Sequence, residues 1–123
     1  MYGPDVTEQD IRENLSEIKR RDLNLKYIQI DDGYQSYMGD WLHPADKFKS
    51  GIQKLCRDIK EKGFEHAIWV APFIAEKDSR LFRGHPDWFV MDENGEPLPS
   101  DREDGDASHG ICLTALIRMH DYI

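Results

Sequence analysis

The fold is decided by the stretch Tyr27-Ile28-Gln29-Ile30-Asp31-Asp32-Gly33-Tyr34-Gln35. A short apolar run with two β-branched residues stops abruptly at two adjacent carboxylates and a glycine. Such runs are typical of buried parallel strands, and the turn that ends the strand is a common place for functional side chains. We therefore expect a buried strand that brings Asp31 and Asp32 to one rim of a sheet. A solvated turn that caps the next segment is the alternative.

Helices and strands alternate around this strand. Thr7-Glu8-Gln9-Asp10 predicts a helix start in which the first and last residues form a capping box. A second helix is predicted from an N-cap at Ser50 to Gly63 just past its end, followed by a second strand over His66–Ala71. This alternation predicts right-handed crossovers and a parallel sheet, so the fold class is α/β.

Composition limits the kind of partner. The 24 Asp and Glu against 16 Lys and Arg give a formal charge of −8. Nucleic acids and anionic membranes bind basic patches, so neither is expected as a partner. No apolar stretch is long enough for a bilayer span, no signal peptide is visible at the start, and two cysteines do not make a disulfide framework. These features favour a cytoplasmic protein, and the spacing of the five histidines predicts no metal site.

The strands are too few for a complete α/β domain. Two are convincing, and Trp88–Gly95 adds a short predicted hairpin, after a helical turn at Asp78–Arg83. A parallel sheet needs more strands than this to bury both of its faces. The pattern is that of a piece of a larger α/β fold, followed by an acidic, glycine-containing tail without periodicity.

Five blocks stand in order and at regular distances along the chain. They are Tyr27–Gln35, Gly39-Asp40-Trp41, Lys47-Phe48-Lys49-Ser50-Gly51, Trp69-Val70-Ala71-Pro72-Phe73 and His85-Pro86-Asp87-Trp88. Together they resemble the α-galactosidases (melibiases) of glycoside hydrolase family 36, over about residues 5–102. The resemblance implies a (β/α)8 TIM barrel that removes terminal α-galactose with retention and without a cofactor. This chain would be a partial barrel of about two βα units with an irregular C-terminal tail.

The resemblance also implies which residues contact the sugar. Asp31 and Asp32 match the pair that accepts hydrogen bonds from galactose hydroxyls. Trp41 matches an aromatic residue that lines the sugar pocket, Trp69 lies on the next barrel strand, and Arg83 falls in a segment that shapes the pocket in related enzymes. Core packing is the alternative for the two tryptophans, and a plain surface charge is the alternative for Arg83.

The catalytic part of the family's sequence has no counterpart here. Retaining hydrolysis needs two carboxylates about 5–5.5 Å apart. The resemblance places both beyond the third barrel strand, with the nucleophile in an aromatic-Leu-Lys-x-Asp block that does not occur in this chain. A full barrel takes about 250 residues. We therefore expect a truncated barrel segment over 1–102 that is inactive alone and self-associates through unpaired strand edges.

Residues 103–123 depart from the family pattern, and we interpret them as an atypical tail that is frameshifted or disordered. Codons for His109–His120, chosen freely and read in another frame, can encode a segment like the family's continuation. Two other functions stay open. One is a non-catalytic galactose-binding remnant, and the other is an unrelated α/β protein that binds a cation through Asp31 and Asp32.

Overall fold

The computed structural model describes residues 5–98 and the backbone of a strand at 108–110. The frameshift hypothesis and the interpretation of 103–123 as a tail lie outside these residues, apart from that strand. The helices and strands in chain order are α1 (Glu8–Arg20), β1 (Tyr27–Ile30), α2 (Ile52–Glu61), β2 (Glu65–Ile68), β3 (Ile74–Glu76), α3 (Arg80–Gly84) and β4 (Ser108–Gly110), with a 3-10 turn at Pro86–Trp88.

The chain divides into two compact units. The first unit comprises the described parts of Met1–Gln35 and Pro44–Val70, and the second comprises those of Ser36–His43 and Ala71–Ile123. None of the helices in the described ranges is long and apolar enough to cross a membrane.

Helix α1 begins at the capping box that the sequence predicts. The Thr7 hydroxyl accepts the Asp10 backbone N–H at 3.2 Å, and Asp10 Oδ2 accepts the Thr7 backbone N–H at 2.8 Å. These bonds satisfy two backbone donors that the first helical turn leaves unpaired. Ile11 and Leu15, which are four residues apart and so lie on one face of the helix, are buried.

The predicted parallel pairing is confirmed. Strand β1 pairs with β2 in a register that joins Tyr27 to Glu65 and Ile30 to Ile68, with α2 as the connection between the strands. The expectation of a buried strand is wrong, because only Ile30 of β1 is buried and Tyr27 is 61% exposed. Burial on both faces requires covering layers and neighbours at both edges. Within the described residues, β1 has one strand neighbour, β2.

Helix α2 begins after Gly51 rather than at a Ser50 cap, so the predicted N-cap is wrong. Gly51 has a positive φ of +80° and provides no side-chain cap. Ser50 instead bonds to Glu8 of α1, which accepts its backbone N–H at 2.9 Å and its hydroxyl at 2.6 Å. The predicted helix end is confirmed, because Gly63 follows α2 with a φ of +90°.

Glu8 connects the two helices of the first unit. Its Oε1 also accepts a hydrogen bond from the Arg12 guanidinium at 2.7 Å, and Arg12 forms an ion pair with Asp58 of α2, also at 2.7 Å. Partial burial raises the pKa of Glu8, but the hydrogen bonds from Ser50 and Arg12 outweigh it and leave that pKa below the usual value. The folded state therefore favours the ionised carboxylate that holds the start of α2.

The second unit contains two strands that were not predicted from the sequence. Strand β3 pairs antiparallel with β4, joining Ile74 to Gly110 and Glu76 to Ser108. Each strand has three residues, too few to show a period of two. The predicted hairpin is confirmed by an antiparallel bridge between Met91 and Pro97.

Candidate functional site

Asp31 and Asp32 follow β1 directly, at the carboxyl end of the parallel pair. Asp31 Oδ1 accepts the Asp32 backbone N–H at 2.9 Å, and Asp32 Oδ1 accepts the side-chain amide of Gln35 at 2.7 Å. Among the residues that the structure describes, the second oxygen of each carboxylate has no hydrogen-bond partner. Each aspartate therefore uses one oxygen to hold the turn and keeps the other as an acceptor.

The turn after the aspartates depends on Gly33 and Gln35. Gly33 has a φ of +102°, and its N–H donates to Gln35 Oε1 at 3.2 Å. Gln35 is only 8% exposed, and its backbone forms an antiparallel bridge with Pro44. Gln35 lies in the stretch that decides the fold, but no role had been predicted for it. The sequence signal for this role was the spacing, because the Gln35 amide comes three residues after Asp32 with a glycine turn between them.

Trp69 lies at the same end of the strand pair. Its backbone N–H donates to the Ile30 carbonyl at 2.9 Å, which extends the parallel pairing by one residue and places Trp69 beside Asp31. The side chain of Trp69 is half-buried. The first unit thus brings together three of the five predicted sugar contacts, Asp31, Asp32 and Trp69.

The other two predicted contacts belong to the second unit. Trp41 is 3% exposed, so its ring is buried and offers little surface to a ligand. The Arg83 side chain is 66% exposed and forms an ion pair with Asp78 at 2.7 Å. Sugar contact by Trp41 and by Arg83 stays a prediction.

The two residues before Trp41 hold the second unit together. Asp40 is 2% exposed, and its Oδ1 accepts the backbone N–H of Arg80, the first residue of α3, at 2.8 Å. Gly39 has a φ of +99°, and its Cα lies so close to the chain at Ala75 that an added Cβ would stand 2.9 Å from that side chain. The packing role of Gly39 and Asp40 had not been predicted, because the block was interpreted only as part of the family resemblance.

Metal and thiol chemistry have little support in the described part of the chain. No group of three or more His, Cys, Asp or Glu residues is arranged there to hold a metal ion. Hard cations such as Ca²⁺ take 6–8 oxygen ligands, which an aspartate pair alone does not supply. Cys56 is half-buried, and burial raises the pKa of its thiol, which disfavours the reactive thiolate.

Comparison with known proteins identifies the family. The family model for Melibiase matches residues 5–104. The chain belongs to the melibiase family. The resemblance inferred from the five sequence blocks is therefore confirmed, and the match extends over the whole region that carries them.

Individual melibiase relatives agree with this assignment. The chain is 35% identical over 94 residues to the A type blood alpha-D-galactosamine galactosaminidase of Flavonifractor plautii, covering 72% of this chain and 9% of that protein. It is 33% identical over 87 residues to an α-galactosidase of Escherichia coli, covering 65% of this chain and 12% of that protein. The chain thus spans about a tenth of these curated relatives.

Solved structures extend the likeness to the fold. The α-galactosidase TtGalA of Thermus thermophilus, in complex with p-nitrophenyl α-D-galactopyranoside, superposes with a TM-score of 0.79 at 30% identity. The match covers 92% of this chain and 23% of that chain. The fold of this chain is therefore shared with about a quarter of a longer α-galactosidase.

Proposed function

We propose that this chain is the galactose-binding segment of a melibiase-type α-galactosidase, and that residues 1–102 form about two βα units of its (β/α)8 barrel. The parallel pair β1–β2, joined through α2, is the repeating unit of such a barrel. The proposed activity of the whole protein is retaining hydrolysis of terminal α-galactosides. We assign sugar binding to this chain because Asp31 and Asp32 lie at the carboxyl end of the strands, where barrel enzymes bind their substrates.

The observation that carries this proposal is the acceptor pair at Asp31 and Asp32. Ionised carboxylates only accept hydrogen bonds, and each of these has one oxygen without a partner among the described residues. Sugar hydroxyls are donors, and hydrogen bonds to a charged acceptor are stronger than neutral ones. Two adjacent acceptors suit two hydroxyls of one sugar ring. Trp41, Trp69 and Arg83 are proposed as further contacts on the family resemblance alone.

Binding without hydrolysis is the activity that we propose for the chain by itself. Retaining hydrolysis requires a nucleophile and an acid/base carboxylate on either side of the glycosidic bond. The 123 residues contain no aromatic-Leu-Lys-x-Asp block, which carries the nucleophile in the resembling enzymes. A non-catalytic galactose-binding remnant is the second candidate function. The acceptor pair at Asp31 and Asp32 supports this candidate as well. A binding remnant differs from a segment of an α-galactosidase because it works without the residues that carry out hydrolysis.

Galactose titration of the full chain tests the sugar-binding proposal. We expect saturable galactose binding that Asp31→Asn weakens by about 10- to 100-fold, because a hydrogen bond to a charged group contributes about 1.5–3 kcal/mol. Calorimetry or NMR shift titration measures the affinity. Glucose, which differs from galactose only at the 4-hydroxyl, should bind more weakly.

Asp46→Asn is the matched control, because Asp46 is an exposed aspartate of the same unit. Equal affinities of the Asp31→Asn and Asp46→Asn variants, or no galactose binding by the unmodified chain, would contradict the proposal. Turnover of p-nitrophenyl α-galactoside by the pure chain would contradict binding without hydrolysis. The similarity to a galactosaminidase makes galactosamine the second sugar to titrate.

We also propose that the chain self-associates through the exposed strand pair. Tyr27 is 61% and Ile68 38% exposed on neighbouring strands that pair only with each other in the described part of the chain. The unpaired backbone groups of such edge strands can pair with another chain, and a lysine on the strand opposes that pairing. We expect concentration-dependent oligomers by light scattering and sedimentation, and at least tenfold weaker association for Ile68→Lys. Leu98→Lys, at a comparably exposed leucine of the second unit, is the control. A monomer at all concentrations would refute this proposal.

A further inference from the structure

We propose that Gln35 is a positioning residue for ligand binding, which fixes the Asp32 carboxylate so that its second oxygen is ready to accept a ligand hydroxyl. The nature of that ligand, galactose, rests on the function proposed above. The positioning itself is a property of the chain without ligand. It can therefore be tested separately from sugar binding.

The side-chain amide of Gln35 bonds to Asp32 as a donor and to Gly33 as an acceptor. Its Nε2 donates to Asp32 Oδ1 at 2.7 Å, and its Oε1 accepts the Gly33 backbone N–H at 3.2 Å. The reversed amide would place an oxygen against the carboxylate and an NH₂ group against the Gly33 N–H. Both contacts would then be repulsive, so the two neighbours fix the amide in one orientation.

Gln35 is itself held in place. The side chain is 8% exposed, and the Gln35 backbone is bridged to Pro44. Next to it, the Ala45 backbone N–H donates to the Tyr34 carbonyl at 2.8 Å. A buried residue on a paired backbone has few rotamers to lose, so it supplies a stationary donor to the half-buried Asp32.

A fixed carboxylate binds a hydroxyl better than a mobile one. Ordering a free side chain at a binding site costs about 3- to 10-fold in affinity. Gln35 removes this cost by engaging Oδ1 of Asp32 before the ligand arrives. The second oxygen, Oδ2, has no hydrogen-bond partner among the described residues and remains for the ligand.

Two substitutions separate this role from a merely structural one. Gln35→Glu keeps the size of the side chain and an oxygen for the Gly33 N–H, but it replaces the donor to Asp32 by a second negative charge. Gln35→Met keeps the length and removes the side-chain bonds to Asp32 and Gly33. If Gln35 only held the turn, Gln35→Glu would bind galactose as well as the original chain does.

The matched control is Gln9→Met on α1. The Gln9 amide donates to Glu13 Oε1 at 2.8 Å, which is the same kind of bond on an exposed helix face. We expect galactose binding to weaken about 3- to 10-fold in Gln35→Met, by tenfold or more in Gln35→Glu, and not at all in Gln9→Met. Denaturant unfolding of each variant verifies that it is folded at the temperature of the titration. Unchanged affinity in Gln35→Glu would overturn the proposal.

A measurement without ligand completes the test. The side-chain carboxyl carbon of Asp32 should have a distinct NMR shift in the unmodified chain and should move towards that of exposed Asp46 in Gln35→Met. Gln9→Met should leave it in place. An Asp32 resonance that does not respond to Gln35→Met would overturn positioning by Gln35. If the unmodified chain binds no galactose, the proposed function fails, and this resonance alone decides the role of Gln35.

Discussion

Replacing Gly39 with alanine should lower the free energy of unfolding by about 2–5 kcal/mol, because it adds backbone strain to overpacking. Gly39 has a φ of +99°, a region that residues with a Cβ rarely adopt. The new methyl group would stand 2.9 Å from the Ala75 Cβ and 3.2 Å from the Ser79 Oγ. Both neighbours are fully buried, so neither can move aside easily.

Gly95→Ala separates the two causes. Gly95 also has a positive φ, +81°, but no described atom lies within 4 Å of the position its Cβ would take. This variant should lose only the strain, about 1–2 kcal/mol. Urea unfolding of the full chain, followed by fluorescence and circular dichroism, measures both variants. Equal losses would show that Gly39 has no packing role.

Gly39 and Asp40 show that residues of a family motif can have structural roles. Gly39-Asp40-Trp41 is one of the five blocks that carry the family resemblance, and it follows the stretch that we propose to bind the sugar. In the structure its glycine permits a close approach of the chain at Ala75, and Asp40 accepts the first N–H of α3. A sequence block that identifies an enzyme family can therefore consist mainly of residues that stabilise the fold.

Local features of the fold were predictable from the sequence. The capping box of α1 involves residues three apart, and the glycine that follows α2 marks its end. The parallel pairing followed from the alternation of helices and strands. These predictions succeeded because each depends on neighbours in sequence or on a general rule of chain connection.

Features that depend on distant contacts were not predictable. Serine is a common N-cap residue, but Ser50 is not the cap of α2. Its backbone N–H and its hydroxyl both donate hydrogen bonds to Glu8, which is 42 residues away. The Asp40 carboxylate likewise bonds to Arg80, 40 residues away. Strand β3 is too short for a pattern and exists through its pairing with β4. No local sequence signal carries such information.

In the candidate site, too, local features were predictable from the sequence and distant contacts were not. The position of Asp31 and Asp32 at a strand end followed from the pattern, whereas the sugar-binding role proposed for them came from the family resemblance. The part played by Gln35 required the distances. The burial of Trp41 also became visible only in the structure, because a tryptophan in a polar loop gives no sign of whether its ring is covered.

Tyr34→Phe should stabilise the chain by about 1–3 kcal/mol at pH 7, because it removes a buried hydroxyl that leaves its hydrogen bond unmade. Tyr34 is fully buried, and its hydroxyl has no partner among the described residues. The Tyr34 carbonyl still accepts the Ala45 N–H in the variant. Tyr27→Phe, which removes a hydroxyl from a 61% exposed ring, is the control and should change stability by less than about 0.5 kcal/mol.

The advantage of Tyr34→Phe should grow at alkaline pH. Burial, with the nearby negative charge of Asp32, raises the pKa of Tyr34 to about 12 from its usual 10.0. Above pH 10 the unfolded chain releases the phenolic proton while the folded chain keeps it, so folding loses about 1.4 kcal/mol per pH unit up to pH 12. Urea unfolding at pH 7, 9 and 11 should therefore show the gap between Tyr34→Phe and the unmodified chain widening by about 1.4 kcal/mol between pH 9 and 11. A variant that is less stable at pH 7 would show that the hydroxyl is bonded in solution, and a constant gap would show that the phenol is not shielded from water.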